Sequence, residues 1–482
     1  MSEKKIFVIT FPLVSHLNAF VNVLSELGKT PNLKLIAYGS KKCEKLLAKA
    51  GCEFREYENF EELENIQINS NKTRIEKYAS NLHKFLTLNS MNLVKIATEI
   101  EREKPGLILF DAMSLLAKWI IRFLKKNYET FLKNPNSYLL TKSAPPPAVI
   151  YYTGFFMNKI EQQAKDENNY LSILDFLRGK IFDFFIISKI LIRTKCLSIK
   201  YGLDFIIPAK EIFENENDLM HIVLTIPEIQ PNHNLLPQNV KFVGPCLSDS
   251  LRIKEQCLTD DTPIKLKRML ELFKSVNPTH SYESLINEEN NRLFYVSLGT
   301  VFEIGIDAYL KIIEAVNIFN NQSIEEKNKK GIQFNKLNVI MSVGKNCYDE
   351  LIQFFKMTKH YIPEEIVIVS TAPQIEILKK ASLFLTHTGF GSMHESLFYG
   401  VPMIAMPISA DQPLNTNHLV EGLKVSVSVV FHQPNSLEIK NSIERILTDQ
   451  SYHKASLKCS QLLKGCNGAK NGAELLLNFL YN

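Results

Sequence analysis

The feature that most constrains this chain is an alternation that runs through it twice. Short, uninterrupted apolar runs are each followed by apolar residues at helical spacing. Ile6-Phe7-Val8-Ile9-Thr10-Phe11 is the first such run. A strand with one wet face alternates polar and apolar residues, whereas a run apolar throughout suits a strand covered on both faces of a parallel sheet. Leu17, Phe20, Val21, Leu24 and Leu27 then recur at helical spacing, and Gly28 stands where that helix should stop. Residues 33–38 read as a second strand and 107–110 as another, the latter closed by Asp111. From about residue 292 the alternation resumes, with strands expected near 293–298, 337–343, 366–370, 383–387, 402–406 and 425–430. The pattern predicts an α/β chain of two doubly wound Rossmann-like domains facing across a cleft. A length of 482 residues also exceeds what one hydrophobic core usually organises.

The expected limits are 1–246 for the first domain, ending after Phe242-Val243-Gly244-Pro245, and 292–482 for the second, whose last helix could pack back on the first. The polar stretch 247–291, with Asp260-Asp261-Thr262-Pro263 and Asn277-Pro278, reads as a linker. Asn320 to Lys336, rich in Asn, Lys and Glu, reads as a solvated insertion. Lys and Arg total 56 against 51 for Asp and Glu, an excess too thin to point to a nucleic-acid partner. The eight cysteines show no C-x-x-C pair, as expected of reduced thiols in a reducing compartment. No signal-like h-region and no run of 18 uncharged apolar residues is found, so the expectation is a soluble, cytoplasmic monomer. Between about 165 and 215 the chain turns strongly apolar, as in Ile181 to Ile192, with Arg178, Lys180, Arg193 and Lys195 at the flanks. A helix lining an apolar pocket is the plainer reading; weak membrane-surface contact through 178–195 is the alternative.

Open α/β sheets bind ligands beyond the carboxyl ends of their strands, so the residues that follow each expected strand carry the functional argument. His16 follows the first strand, at the start of a helix where the positive dipole end disfavours imidazolium. A neutral histidine can act as a general base, and Asp111, at another strand end of the same sheet, could orient it. The bland alternative is a helix-capping His16 and a solvated Asp111. In the second half, His387 ends a strand and Thr388-Gly389-Phe390-Gly391-Ser392 leads into a helix expected at Met393–Tyr399. Glycines before a helix N-terminus make an anion site suited to nucleotide phosphates. Glu395 could reach a ribose, Ser297 and Thr300 supply hydroxyls at another strand end, and Asp411 and Gln412 suit sugar hydroxyls. A dinucleotide fingerprint fails because His394 takes the third glycine position, and a zinc-protease motif fails at Phe398. No resident metal is expected.

Ala372-Pro373-Gln374, His387 to Ser392, Glu395-Ser396, Gly400-Val401-Pro402 and Asp411-Gln412 occur in the order and spacing of the UDP-glycosyltransferase signature. The chain resembles that family of inverting, sugar-nucleotide-dependent transferases with the GT-B fold. Thr10-Phe11-Pro12 leading to His16, and Phe110-Asp111-Ala112, are similar to the family's catalytic segments. The resemblance implies that His16 deprotonates the acceptor, oriented by Asp111. It implies that Ala372 and Gln374 meet the nucleobase, that His387, Gly389, Gly391 and Ser392 hold the diphosphate with Ser297 and Thr300, that Glu395 binds the ribose, and that Asp411 and Gln412 bind the donor sugar. Nothing is bound permanently; a UDP-sugar, UDP-glucose above all, is the co-substrate. Two departures stand out. Thr371 occupies the position where the family commonly has a base-stacking Trp, and Phe390-Gly391 replaces the Trp-Asn of plant members.

The expected function is transfer of a hexose to a hydroxyl of a small lipophilic acceptor, whether sterol, phenolic, lipid or xenobiotic alcohol. The acceptor class rests on the apolar 165–215 stretch. The alternatives are another GT-B-like sugar-nucleotide enzyme, such as an epimerase or a polyprenyl-linked sugar transferase, and a catalytically silent nucleotide-sugar-binding protein.

Overall fold

The structure is a computed structural model that describes residues 3–11, 14–58, 89, 91–134, 143–152, 154, 195–196, 218–247, 263–273, 291–299, 305–322, 324–329, 336–408 and 411–482. The apolar stretch 165–215, apart from Lys195 and Cys196, and the Thr300 position lie outside the described residues.

The chain divides into two compact units, one of residues 1–225, 232–246 and 468–482, the other of 226–231 and 247–467. The first is built on seven strands: β1 (Lys4–Ile9), β2 (Leu33–Gly39), β3 (Cys52–Glu56), β4 (Leu107–Asp111), β5 (Ala148–Tyr152), β6 (Met220–Val223) and β7 (Val240–Phe242). All pair in parallel, in the order β3-β2-β1-β4-β5-β6-β7. The apolar runs occupy the centre: Ile6 to Ile9 and all of β4 are buried, as strands covered on both faces must be. The order reverses between β1 and β4, and the register Ile9↔Phe110 sets their carboxyl ends side by side. The helix Val14–Leu27 leaves β1, and Leu115–Lys133, capped where Ser114 Oγ accepts from the Ala117 amide, leaves β4.

The second unit carries six parallel strands: β8 (Asn291–Ser297), β9 (Lys336–Ser342), β10 (Ile366–Val369), β11 (Leu383–Thr386), β12 (Met403–Ala405) and β13 (Ser426–Ser428). Their order is β10-β9-β8-β11-β12-β13, with the reversal between β8 and β11. Thr386↔Ser297 is the last pair there, so the loops beginning at Leu298 and His387 leave the same rim. Both units are doubly wound parallel α/β sheets, the fold class that the alternation predicts.

The structure differs from the expected outline in several places. The described middle of the stretch read as a linker is a helix, Ile264–Glu271, with Leu266, Met269 and Leu270 buried and Lys265 Nζ donating to the Ile366 carbonyl at 3.0 Å. Its apolar residues keep helical spacing beneath a lysine-rich surface. Within the insertion read as solvated, Ile324–Lys329 is helical, and Lys327 is buried with its ammonium 5.4 Å from the centre of the Phe319 ring. The helix Gly468–Tyr481 belongs to the first unit. Asn471 donates to the Val243 carbonyl at 3.0 Å, and a Cβ at Gly468 would lie 2.3 Å from the Gly244 oxygen, so only glycine permits that approach. No described helix is long and apolar enough to cross a membrane.

Candidate active site

In the first unit, the two switch-point strands bring His16 and Asp111 together. His16 lies in the first turn of Val14–Leu27, and its Nδ1 stands 3.2 Å from Asp111 Oδ2. Asp111 is fully buried, and its other oxygen accepts the Met113 amide at 2.8 Å in a tight Asx-type turn. One oxygen therefore fixes the turn and the other faces the imidazole. The His16 side chain keeps 24% exposure, with the Phe11 ring 4.8 Å away. The buried Tyr57 and Tyr151 both lie within electrostatic reach of the carboxylate. Burial above all, with the charge of Asp111 adding to it, holds both phenols far above their ordinary pKa, so neither donates a proton to the dyad at neutral pH. A carboxylate on Nδ1 leaves Nε2 as the basic nitrogen, the geometry of an oriented general base.

In the second unit, the candidate residues gather along one rim. The His387 imidazole lies between two glycines: a Cβ at Gly389 would come within 2.6 Å of Nε2, and one at Gly299 within 2.9 Å of Nε2 and Cε1. Gly299 also sits at φ +83°, a conformation that side chains resist. Burial lowers the His387 pKa against the opposing pull of Asp411, which favours the neutral ring. The helix that follows begins at Phe390, three residues earlier than expected, with Gly389 as an N-cap that makes no side-chain cap. Gly391 and Ser392 thus lie in its first turn, where amides have no partner within the helix and the dipole favours an anion. A Cβ at Gly391 would meet nothing within 4 Å.

Glu395 is buried one turn further on. Gln374 donates Nε2 to Glu395 Oε2 at 2.7 Å and more weakly to Ser392 Oγ at 3.4 Å, and its Oε1 accepts the Tyr295 hydroxyl at 3.2 Å. Ala372 and the exposed Thr371 precede it on the same loop, and Ser297 ends β8 beside His387. Asp411 accepts a 2.8 Å bond from Asn415, whereas Gln412 is turned inward, its Oε1 taken by the Ile408 amide at 2.7 Å. His394 is buried, stacks on Phe390 with centroids 5.0 Å apart, and is pushed down to about 4 by burial; it is a packing residue. Tyr295, Thr388 and Asn415 are the residues that sequence reasoning missed. Asn415 alone left a signal, one helical turn after Asp411. No cluster of three metal-ligating side chains occurs among the described residues.

Residues 336–466 match the family model described as UDP-glucoronosyl and UDP-glucosyl transferase. An uncharacterized UDP-glucosyltransferase of Bacillus subtilis, YojK, is 23% identical over 98% of this chain and 96% of its own length. Among solved structures, the glycosyltransferase of kitacinnamycin superposes with a TM-score of 0.66 at 16% identity, covering 98% of both chains. A UDP-glucose:anthocyanidin 3-O-glucosyltransferase in complex with UDP gives 0.62 at 17% identity over 99% of both.

Proposed function

Because the chain belongs to the UDP-glycosyltransferase family and has the GT-B fold, we propose that it transfers glucose from UDP-glucose to a hydroxyl of a small lipophilic acceptor, with inversion. The observation that carries this reading is the His16–Asp111 contact, an oriented imidazole at the switch point of the first sheet. Nε2 takes the acceptor proton as the oxygen attacks the anomeric carbon, and Asp111 stabilises the imidazolium that forms. The bond from that carbon to the diphosphate breaks, and its electron pair leaves with UDP. Neutral His387 donates a hydrogen bond to the departing oxygens, together with the first-turn amides around Gly391 and Ser392, so the developing charge meets preorganised donors. In this reading Gly389 leaves room for the phosphates, assisted by Ser297 and Thr300. Ala372 and Gln374 face the base and Glu395 the ribose. Asp411 is the main donor-sugar contact, with Gln412 supporting its loop.

Glucose is favoured by the naming of the Bacillus relative, and a lipophilic alcohol by the anthocyanidin acceptor of the structural neighbour and the apolar 165–215 sequence. With Thr371 at the stacking position, uridine is held by hydrogen bonds more than by an aromatic face, which narrows the expected preference over other bases. Incubating the protein with a panel of UDP-sugars and hydrophobic alcohols in excess EDTA tests the reading. Mass spectrometry should show acceptors gaining one hexosyl unit. Nucleotide binding without any transfer, or transfer only after Mg²⁺ is restored, would overturn it.

A further inference from the structure

Thr388 is an anomaly on the second rim. It is β-branched and fully buried, yet it sits at φ +60°, a left-handed conformation that such residues avoid. Strain of this kind persists only where the surroundings over-determine it, and it concentrates at functional sites. The surroundings here are one short helix, Gln412–Asn417. Thr388 Oγ1 lies 2.7 Å from Thr416 Oγ1 and 3.2 Å from the Gln412 carbonyl, and the Thr388 carbonyl accepts Asn415 Nδ2 at 2.9 Å. The same Asn415 nitrogen donates to Asp411 Oδ2 at 2.8 Å. That is the only side-chain hydrogen bond to Asp411 among the described residues. One buried amide thus joins the turn that carries His387 to the carboxylate that opens the helix, and Asn415 is 2% exposed.

Resting on the reading of Asp411 as the donor-sugar contact, we infer that Asn415 is a positioning residue that fixes the Asp411 carboxylate relative to the His387 turn and thereby sets donor-sugar selectivity. A carboxylate distinguishes sugar epimers only if its oxygens stay in place, because the discrimination comes from a hydroxyl that is either met or left unpaired. Without the amide, Asp411 is free to rotate toward the His387 imidazole, whose protonation its charge already favours. The nucleotide contacts at Gln374 and Glu395 do not pass through Asn415, so UDP should lose at most the share of its affinity that the His387 turn contributes.

The test compares Asp411→Ala, Asn415→Leu and the double variant, reading kcat/KM for UDP-glucose and UDP-galactose and the Kd of UDP by calorimetry. Asn415→Leu should lower kcat/KM for the preferred sugar by about tenfold or more and collapse the preference, while weakening UDP binding less than it weakens kcat/KM. The double variant should be no worse than Asp411→Ala, since coupled residues are not additive. Additive losses, or an intact preference in Asn415→Leu when Asp411→Ala has lost it, would overturn the inference alone. An intact preference in Asp411→Ala would overturn the donor-sugar reading and the inference with it. Should Asn415→Leu fail to fold, Asn415→Ala removes the donor without adding a buried carboxyl beside Asp411 and carries the same expectations.

Discussion

The two rims solve different chemical problems with different amounts of chain. The first-unit site is two side chains and one 3.2 Å contact, made by residues 95 positions apart. The second-unit site draws on β8, β10, β11 and β12, yet most of its groups fall in one continuous segment from Ala372 to Asp411. A base needs one nitrogen and one orienting charge, whereas a nucleotide sugar presents a base, a ribose, a diphosphate and a hexose, each needing its own partners. The difference teaches where each kind of loss should register: in the rate alone for the first rim, and for the second in donor binding, donor choice or departure of the leaving group, according to which part of the donor the lost group meets.

The largest expected effect breaks the first rim. His16→Ala should cut kcat by about 10²–10⁴, the usual range for a general base, while calorimetry finds UDP affinity unchanged. Asp111→Asn should give a milder form of the same loss. A His16→Ala protein that no longer binds UDP would erase the contrast between the rims.

Next comes the His387 cradle. In Gly389→Ala the new methyl group would need the space 2.6 Å from Nε2, so the imidazole must move. Losing one donor to the leaving group should lower the transfer rate by about 10²–10³. Transfer at the parent rate would mean that His387 does not face the diphosphate.

Glu395→Ala sharpens the donor side. The ribose loses a charged acceptor, a loss of roughly 1.5–3 kcal/mol, and Gln374 loses its 2.7 Å partner as well. UDP should bind about ten- to a hundredfold more weakly, with no change in the pH dependence of transfer. An unchanged Kd would move the ribose elsewhere.

The smallest effect is on stability. His394 is held neutral by burial, down to about 4 against an ordinary 6.5. Above pH 6.5 both folded and unfolded chains keep it neutral. As the pH falls from about 6.5 to about 4 the unfolded chain binds the proton first, so stability declines across that window. The thermal midpoint should drop by a few degrees more in the parent than in His394→Phe. Equal slopes would mean that His394 is protonated in the fold.

Much of this was legible in the sequence because parallel sheets advertise themselves: strands buried on both faces are apolar throughout, as in Ile6 to Ile9 and Leu107 to Phe110. β3, β5, β6 and β7 were not anticipated: Cys52 to Glu56 alternates with charges, β6 and β7 at four and three residues are too short to show a period, and β5, Ala148–Tyr152, is apolar throughout but lies directly behind the Pro145-Pro146-Pro147 run. Candidate side chains at strand ends could be named because the chain passes those ends in a fixed order. The residues that brace them could not: Thr388 reads as an ordinary loop threonine until its φ is known, and Tyr295 reads as core until its hydroxyl is seen on Gln374. Positioning depends on distances that no spacing along the chain encodes.

The pH dependence of transfer, measured at saturating UDP-glucose for the parent and for His16→Ala, tests the central claim most directly. The account predicts that the parent rate falls at acid pH as the imidazole is protonated, and that the slow residual reaction of His16→Ala lacks this fall. The same acid fall in both proteins would contradict the assignment of His16 as the base.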